Sequence, residues 1–216
     1  MELYKTVRKE ASETQIIEKS RFIAHVKPVE SREEADAFVA EIKSRYKDAT
    51  HNVPAMVIGD NSQIQWASDD GEPQGTSGAP MVQMMVKEGL TNLVVVVTRY
   101  FGGIKLGTGG LVRAYTSSAK LGIAAAGICS VMEVAEITAV IDYSFLAGFQ
   151  KLAKPDLARQ DDGLCFVIGD VDYGEKVTIR FLTPLEKEEE LKELIAGVTS
   201  GSGIIKETKC VVTCKS

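Results

Sequence analysis

The sequence predicts an α+β protein of two domains. Three observations carry this. The first 130 or so residues alternate strand and helix signals, the remainder reads β-α-β-β-α-β, and a helix-ending glycine, Gly127, stands just before the change. A chain of 216 residues accommodates one large domain or two small ones, and the change of pattern near Cys129–Ala135 favours two, 1–133 and 134–216.

In the first part, Arg21–Val29 alternates as a strand. Ser31 with Glu34 three residues later is a capping-box signature for a helix running to about Lys47, with Ala35, Phe38, Val39, Ile42 and Tyr46 at helical spacing. Val53–Ile58 and Gln63–Ala67 read as a hairpin across Gly59–Ser62. Pro80 suits a helix start and Gly89 a helix end. The β-branched run Leu93–Val97 predicts a strand buried on both faces. A helix over about Leu111–Ala126 follows, with Arg113, Ser117 and Lys120 off its buried stripe. In the second part the elements are Val134–Asp142, helix Phe145–Lys154, strands Leu164–Asp170 and Lys176–Leu182, helix Leu185–Val198 and strand Ile204–Thr213. That order is the ferredoxin-like βαββαβ unit.

Composition is that of an ordinary globular protein, with 44% hydrophobic and 25% charged residues. No apolar run approaches the roughly 18 residues that span a bilayer, and the opening residues 1–18 are polar and of mixed charge, so a cytoplasmic protein without membrane contact is expected. Four cysteines without a C-x-x-C pair are expected to be reduced thiols. Net charge is −5, divided as −1 over residues 1–133 (15 basic, 16 acidic) and −4 over 134–216 (10 basic, 14 acidic). A polyanion site would therefore be a local patch on the first domain.

Two irregular segments hold the candidate chemistry. The first, Ser68–Gly78, places three carboxylates, Asp69, Asp70 and Glu72, within four residues among Gly and Pro. Such groups repel unless they are hydrogen-bonded, solvated or bound to something. The segment is either an Asx-turn-rich loop leading into the next helix or a contact for a ligand or partner through Asp69, Asp70, Glu72 and Thr76, with His51 as a further contact from the strand before it. The second, Arg99–Gly110, has five glycines in the nine residues from Gly102 and runs into a helix start. Backbone amides at such a start bind anions. Arg99, Lys105 and Arg113 would supply positive charge, Gly107, Thr108, Gly109 and Gly110 the amides, and Tyr100 and Phe101 stacking faces; the competing reading is tight packing with Thr108 as N-cap and the aromatics, Phe101 in particular, in the core. The loop lacks the Gly-Lys-Ser/Thr ending of a P-loop, and it has neither the position nor the downstream acid of a dinucleotide fingerprint. No catalytic residue, metal site or cofactor is assigned. A triad of His51 with Asp69 or Asp70 and Ser77 or Thr76 can be drawn, but no G-x-S-x-G motif supports it.

Thr50-His51-Asn52, Asp69-Asp70-Gly71-Glu72-Pro73 with Gly75-Thr76-Ser77-Gly78, and Val95 through Gly107 with Gly109-Gly110-Leu111-Val112-Arg113-Ala114-Tyr115 resemble the YigZ/IMPACT family across the whole first half. The second half resembles the small C-terminal domain of its bacterial members. The resemblance implies a first domain with the left-handed βαβ fold of ribosomal protein S5 domain 2 and a ferredoxin-like second domain. It implies a role in translation, since eukaryotic relatives regulate it by binding an activator of an eIF2α kinase, and nucleic-acid binding is inferred for bacterial members. Where bacterial relatives place a small or sulfur residue and an aromatic after the His-Asn pair, this chain has Val53-Pro54-Ala55-Met56, and Pro54 predicts a strand at an edge there. The leading expectation is a non-catalytic protein contacting RNA or the ribosome. The alternatives are a small-molecule phosphate-binding enzyme with a GHMP-kinase-like fold and a protein-interaction adaptor.

Overall fold

The computed structural model describes residues 2–155, 157 and 163–215. The chain divides into two compact units, Tyr4–Cys129 and Met1–Leu3 with Ser130–Ser216. The fold class is the α+β class that the sequence predicts, built on two antiparallel sheets.

The opening eighteen residues, polar and without a marked pattern, form two strands, β1 (Glu2–Val7) and β2 (Ala11–Ile17). The sheet of the first unit has the order β2-β3-β6-β4-β5, with β3 Ser20–Pro28, β4 His51–Ile58, β5 Ile64–Ala67 and β6 Leu93–Tyr100. Both β3 and β4 run antiparallel to β6, so they are parallel to each other. Helix α1 (Arg32–Arg45) makes the crossover between them, and Ser31 caps it by accepting from the Glu34 amide at 3.2 Å. Glu34 reaches back one residue further than in a capping box, accepting from the Glu30 amide at 2.9 Å.

The apolar run of β6 is buried on both faces because two layers need it. Val94 and Val96 meet Phe38 and Ile42 of α1, while Leu93, Val95 and Val97 meet α2 (Gly78–Lys87) and α3 (Gly107–Ala126). The period of two in a strand divides the run between two cores. Pro54 does not mark an edge strand, since β4 lies between β6 and β5. Its carbonyl accepts from Ser68, so its missing donor faces the β5 side, one residue beyond the last pair of that ladder, Ala55 with Ala67.

Between β2 and β3 the turn residues Glu18 and Lys19 both take left-handed φ values, 45° and 65°. The turn is pressed against Gly102, where an added Cβ would lie 2.1 Å from the Lys19 carbonyl. Only glycine fits that close approach of two backbones. Ser20, fully buried, fixes it by accepting from the Gly102 amide at 3.1 Å.

In the second unit the sheet path is β1-β7-β9-β8, with β10 on the other side of β7, where β7 is Ile128–Ile141, β8 Val167–Tyr173, β9 Val177–Pro184 and β10 Ile204–Lys215. Helices α4 (Tyr143–Leu152) and α5 (Glu188–Val198) complete the ferredoxin-like order, and Phe149, Leu191 and Ile195 pack on Ile137, Ile179 and Phe181. Cys165 and Cys210 are free thiols. Cys129 and Cys214 are disulfide-bonded, which corrects the expectation of four reduced cysteines.

His25 on β3 is buried, with Nδ1 2.8 Å from Ser12 Oγ and its ring against Tyr46. Burial, assisted by the positive Arg45, lowers its pKa from 6.5 to about 4. The unfolded chain therefore takes up this proton first. The contribution to stability is complete above about pH 6.5 and is lost as pH falls towards 4. Urea midpoints measured from pH 7 to 4.5 should fall for the unaltered protein and fall less for His25→Gln.

Candidate functional site

The acidic segment turns sharply at Asp69–Glu72. The Glu72 amide donates to the Asp69 carbonyl at 3.0 Å, and the two central residues, Asp70 and Gly71, have φ of 48° and 89°. Two left-handed residues in sequence are the pattern of a type I′ turn, which favours Asp-Gly. Gly71 also lies against the imidazole of His51, where a Cβ would be 3.4 Å from Nδ1.

Each of the three carboxylates has a different structural task. Asp69 Oδ1 accepts from the Ser77 amide and hydroxyl and the Gly78 amide, and Oδ2 from Gly75, so this side chain ties the loop to the start of α2. Burial works to raise its pKa, but the Ser77 hydroxyl and the amides of Gly75, Gly78 and Ser77 together outweigh it and hold it below the usual value. Asp70 accepts from the Asn52 amide at 2.7 Å and pairs with Lys43 at 2.5 Å. Thr76 donates its hydroxyl to the Pro73 carbonyl. Asp69, Asp70 and Thr76, expected as contacts for a ligand or partner, are thus engaged inside the fold. No group of three or more potential metal ligands gathers among the described residues. The drawn triad is not assembled, because the Ser77 hydroxyl donates to Asp69 and the Thr76 hydroxyl to the Pro73 carbonyl.

Glu72 turns inward, and its side chain is 4% exposed. Its Oε1 accepts from Arg99 Nη1 at 2.6 Å and from the Tyr115 hydroxyl at 2.7 Å. Burial, then the adjacent carboxylate, holds the Tyr115 phenol well above its usual range, so it remains a donor. Arg99 is equally buried, packed over the rings of Phe22 and Phe101. The expectation that Arg99 is a free cation for phosphate is therefore corrected: its charge is matched inside the protein. Tyr100 is also engaged. Arg21 covers its ring at 4.4 Å, and its hydroxyl donates to Asp48 at 3.1 Å. Phe101 is 46% exposed and so is not in the core, where the packing reading of this loop would place it. Lys120 pairs with Glu88 at 2.6 Å.

Helix α3 begins at Gly107, four residues before the expected start. Gly107 enters with φ 69°, Leu106 stands at the N-cap without a side-chain hydrogen bond, and Thr108 lies inside the first turn instead of capping it. The first-turn amides of Gly107, Thr108 and Gly109 have no intrahelical acceptor, whereas Gly110 bonds back to the Leu106 carbonyl. No acidic side chain occupies this turn.

These parts meet in one cleft of about 390 Å³, lined by Thr50, His51, Glu72, Arg99, Phe101 and Lys105 together with Gly107 and Thr108. A neighbouring cleft of about 480 Å³ shares Lys105 and adds Arg113, Gly110 and Glu18. Lys105 and Arg113 are exposed and make no ion pair among the described residues. Gly109 lines neither cleft. His51 Nδ1 lies 2.8 Å from the Asp70 carbonyl. A carbonyl only accepts, so Nδ1 carries the proton and Nε2 of the neutral ring is left as an acceptor. Nε2 is 3.8 Å from Glu72 Oε2.

Sequence reasoning reached Glu72, His51, Phe101, Lys105 and the α3 start, but not Ser20 or Tyr115 as parts of the site. A buried tyrosine requires a partner for its hydroxyl, and Tyr115 on the inner stripe of α3 was the signal for a polar group beneath the acidic turn.

Removing one member of a buried ion pair strands the other. Glu72→Ala should cost roughly 3–5 kcal/mol of unfolding free energy, whereas Asp70→Ala, which breaks a partly exposed pair, should cost about 1 kcal/mol or less. Equilibrium urea unfolding checks both.

Comparison with known proteins agrees with this layout. The Impact N-terminal domain matches residues 18–123, which include both motif segments, and a domain of unknown function (DUF1949) matches 165–202. The chain is 38% identical over 206 residues to the IMPACT family member YvyE of Bacillus subtilis, covering 94% of this chain and 90% of that protein. It is 36% identical over 188 residues to the IMPACT family member YigZ of Escherichia coli, covering 86% and 88%. A crystal structure described as a hypothetical protein superposes with TM-score 0.58 at 34% identity, covering 95% of this chain and 97% of that one. With both domain types present in order and similarity spanning nearly its full length, the chain belongs to the IMPACT family.

Proposed function

We propose that the protein binds RNA, alone or on the ribosome, in the regulation of translation in the cytoplasm, and that it does so through the cleft at the start of α3. The observation that carries this reading is the uncapped first turn of α3, with Gly107 and Thr108 opening into the same cleft as unpaired Lys105 and exposed Phe101. Free amides at the positive end of a helix dipole hold a phosphate. The lysine adds charge, and the phenylalanine offers a base a stacking face. The neighbouring cleft extends the positive surface to Arg113. Membership of the IMPACT family supports the link to translation.

His51 and the inward Glu72, set together in the lining of the cleft, favour a second reading, a small-molecule phosphate-binding enzyme. An adaptor that docks a basic partner on the acidic turn is favoured less, because Asp69, Asp70 and Glu72 are already engaged. A large thermal shift with Mg-ATP and other phosphate compounds, without RNA binding, would select the enzyme.

Phosphate contacts predict that affinity for single-stranded RNA falls with rising salt, with a log–log slope of roughly −0.7 per contact. Lys105→Ala and Arg113→Ala should each weaken binding and reduce the slope by about that amount, with the fold intact because both side chains are exposed. Binding measured over a salt series checks this. A flat salt dependence, or affinity unchanged in the double variant, would contradict it.

A further inference from the structure

A carboxylate oxygen is left without a donor where the cleft meets the acidic turn. Glu72 Oε1 takes both hydrogen bonds, from Arg99 and Tyr115, while among the described residues none reaches Oε2. The side chain is buried to within 4%, yet it lines the cleft, so Oε2 is presented there by a group that cannot swing away. Opposite, at 3.8 Å, stands His51 Nε2. With Nδ1 donating to the Asp70 carbonyl, Nε2 of the neutral imidazole is a second acceptor. Two acceptors facing one another call for two donors from outside. The charge of Glu72 is already matched by Arg99, which favours neutral donors over an ammonium group. Gly107, Thr108 and Lys105 line the same cleft, and the free amides at the start of α3 with the lysine make a place for an anion.

We propose that this cleft takes the 3′-terminal ribose of an RNA chain. The 2′- and 3′-hydroxyls donate to Glu72 Oε2 and His51 Nε2, and the phosphate of the same nucleotide rests on the first turn of α3. The inference rests on the RNA-binding reading above and specifies which part of the RNA is held. A ribose inside a chain offers one free hydroxyl; the 3′ end alone offers the adjacent pair. Carboxylates hold ribose hydroxyls in the same way in dinucleotide-binding folds. A cleft of about 390 Å³ is of the size that holds a small ligand, and one nucleotide falls in that range.

The test compares two 5′-labelled single-stranded RNAs of one sequence, one ending in ribose and one in 2′,3′-dideoxyribose, on the full chain at low salt. The dideoxy end should bind at least about tenfold more weakly, because two hydrogen bonds are lost, one of them to a charged group, and the acceptor of the buried Glu72 stays unpaired. This comparison on the unaltered protein requires no variant to fold. In His51→Ala the difference between the two RNAs should narrow, while the salt slope stays that of the unaltered protein. Equal affinity for the two ends, with salt-dependent binding retained, would overturn the terminal-ribose contact and leave RNA binding standing. An unchanged discrimination in His51→Ala would also overturn it. Failure to bind either RNA would overturn the RNA-binding reading and this inference together.

Discussion

The architecture of the first unit turns on the buried ion pair between Arg99 and Glu72. Arg99 ends the most central strand, and Glu72 arrives from a loop 27 positions away in sequence; their contact is 2.6 Å with both side chains almost wholly out of water. Desolvating two charges is expensive, and mutual attraction offsets it only with good geometry and further hydrogen bonds. Here Tyr115 gives Glu72 a second donor, the rings of Phe22 and Phe101 flank the guanidinium, and Ser20 lies 3.4 Å from its Nη2. The pair thereby joins the acidic turn, β6, α3 and the β2–β3 turn at one point. The cleft is what remains open beside that point.

The division of labour in the acidic segment follows from the same constraint. Three neighbouring carboxylates would repel one another in one direction, so the I′ turn at Asp70–Gly71 sends them apart. Asp69 faces the start of α2, Asp70 faces Lys43 and the β4 amide, and Glu72 faces the core. With Asp69 and Asp70 satisfied inside the fold, only Glu72 keeps an oxygen available to the cleft. The cleft therefore combines acceptors, from Glu72 and His51, with donors, from the α3 start and Lys105, which suits a ligand carrying both hydroxyls and an anion.

Much of the fold was legible because its signals are local. Ser31 with Glu34 announced α1, and Leu93–Val97 announced a strand covered on both sides. What escaped was set by tertiary context. Strand β2 is an edge strand with mostly exposed, polar residues, and its turn uses Glu18 and Lys19 in left-handed conformations without a glycine to signal it. The first turn of α3 is Gly-Thr-Gly-Gly, residues that disfavour a helix on propensity alone, so its start was placed too late. At the site, Arg99 and Tyr100 have the composition of a surface patch, and nothing in their spacing reveals that one pairs inward with Glu72 and the other lies under Arg21. The disulfide-bonded state of Cys129 and Cys214 was equally invisible, since cysteines far apart in sequence carry no pairing information.

The most direct measurement of the central claim is a double-mutant cycle on Arg99 and Glu72, with each residue changed to Met and unfolding free energies taken from urea titrations. If the pair is the joint on which the cleft is built, the single variants should each lose several kcal/mol and the double variant should recover much of that, giving a coupling energy of about 2 kcal/mol or more. Additive losses, with coupling near zero, would contradict it.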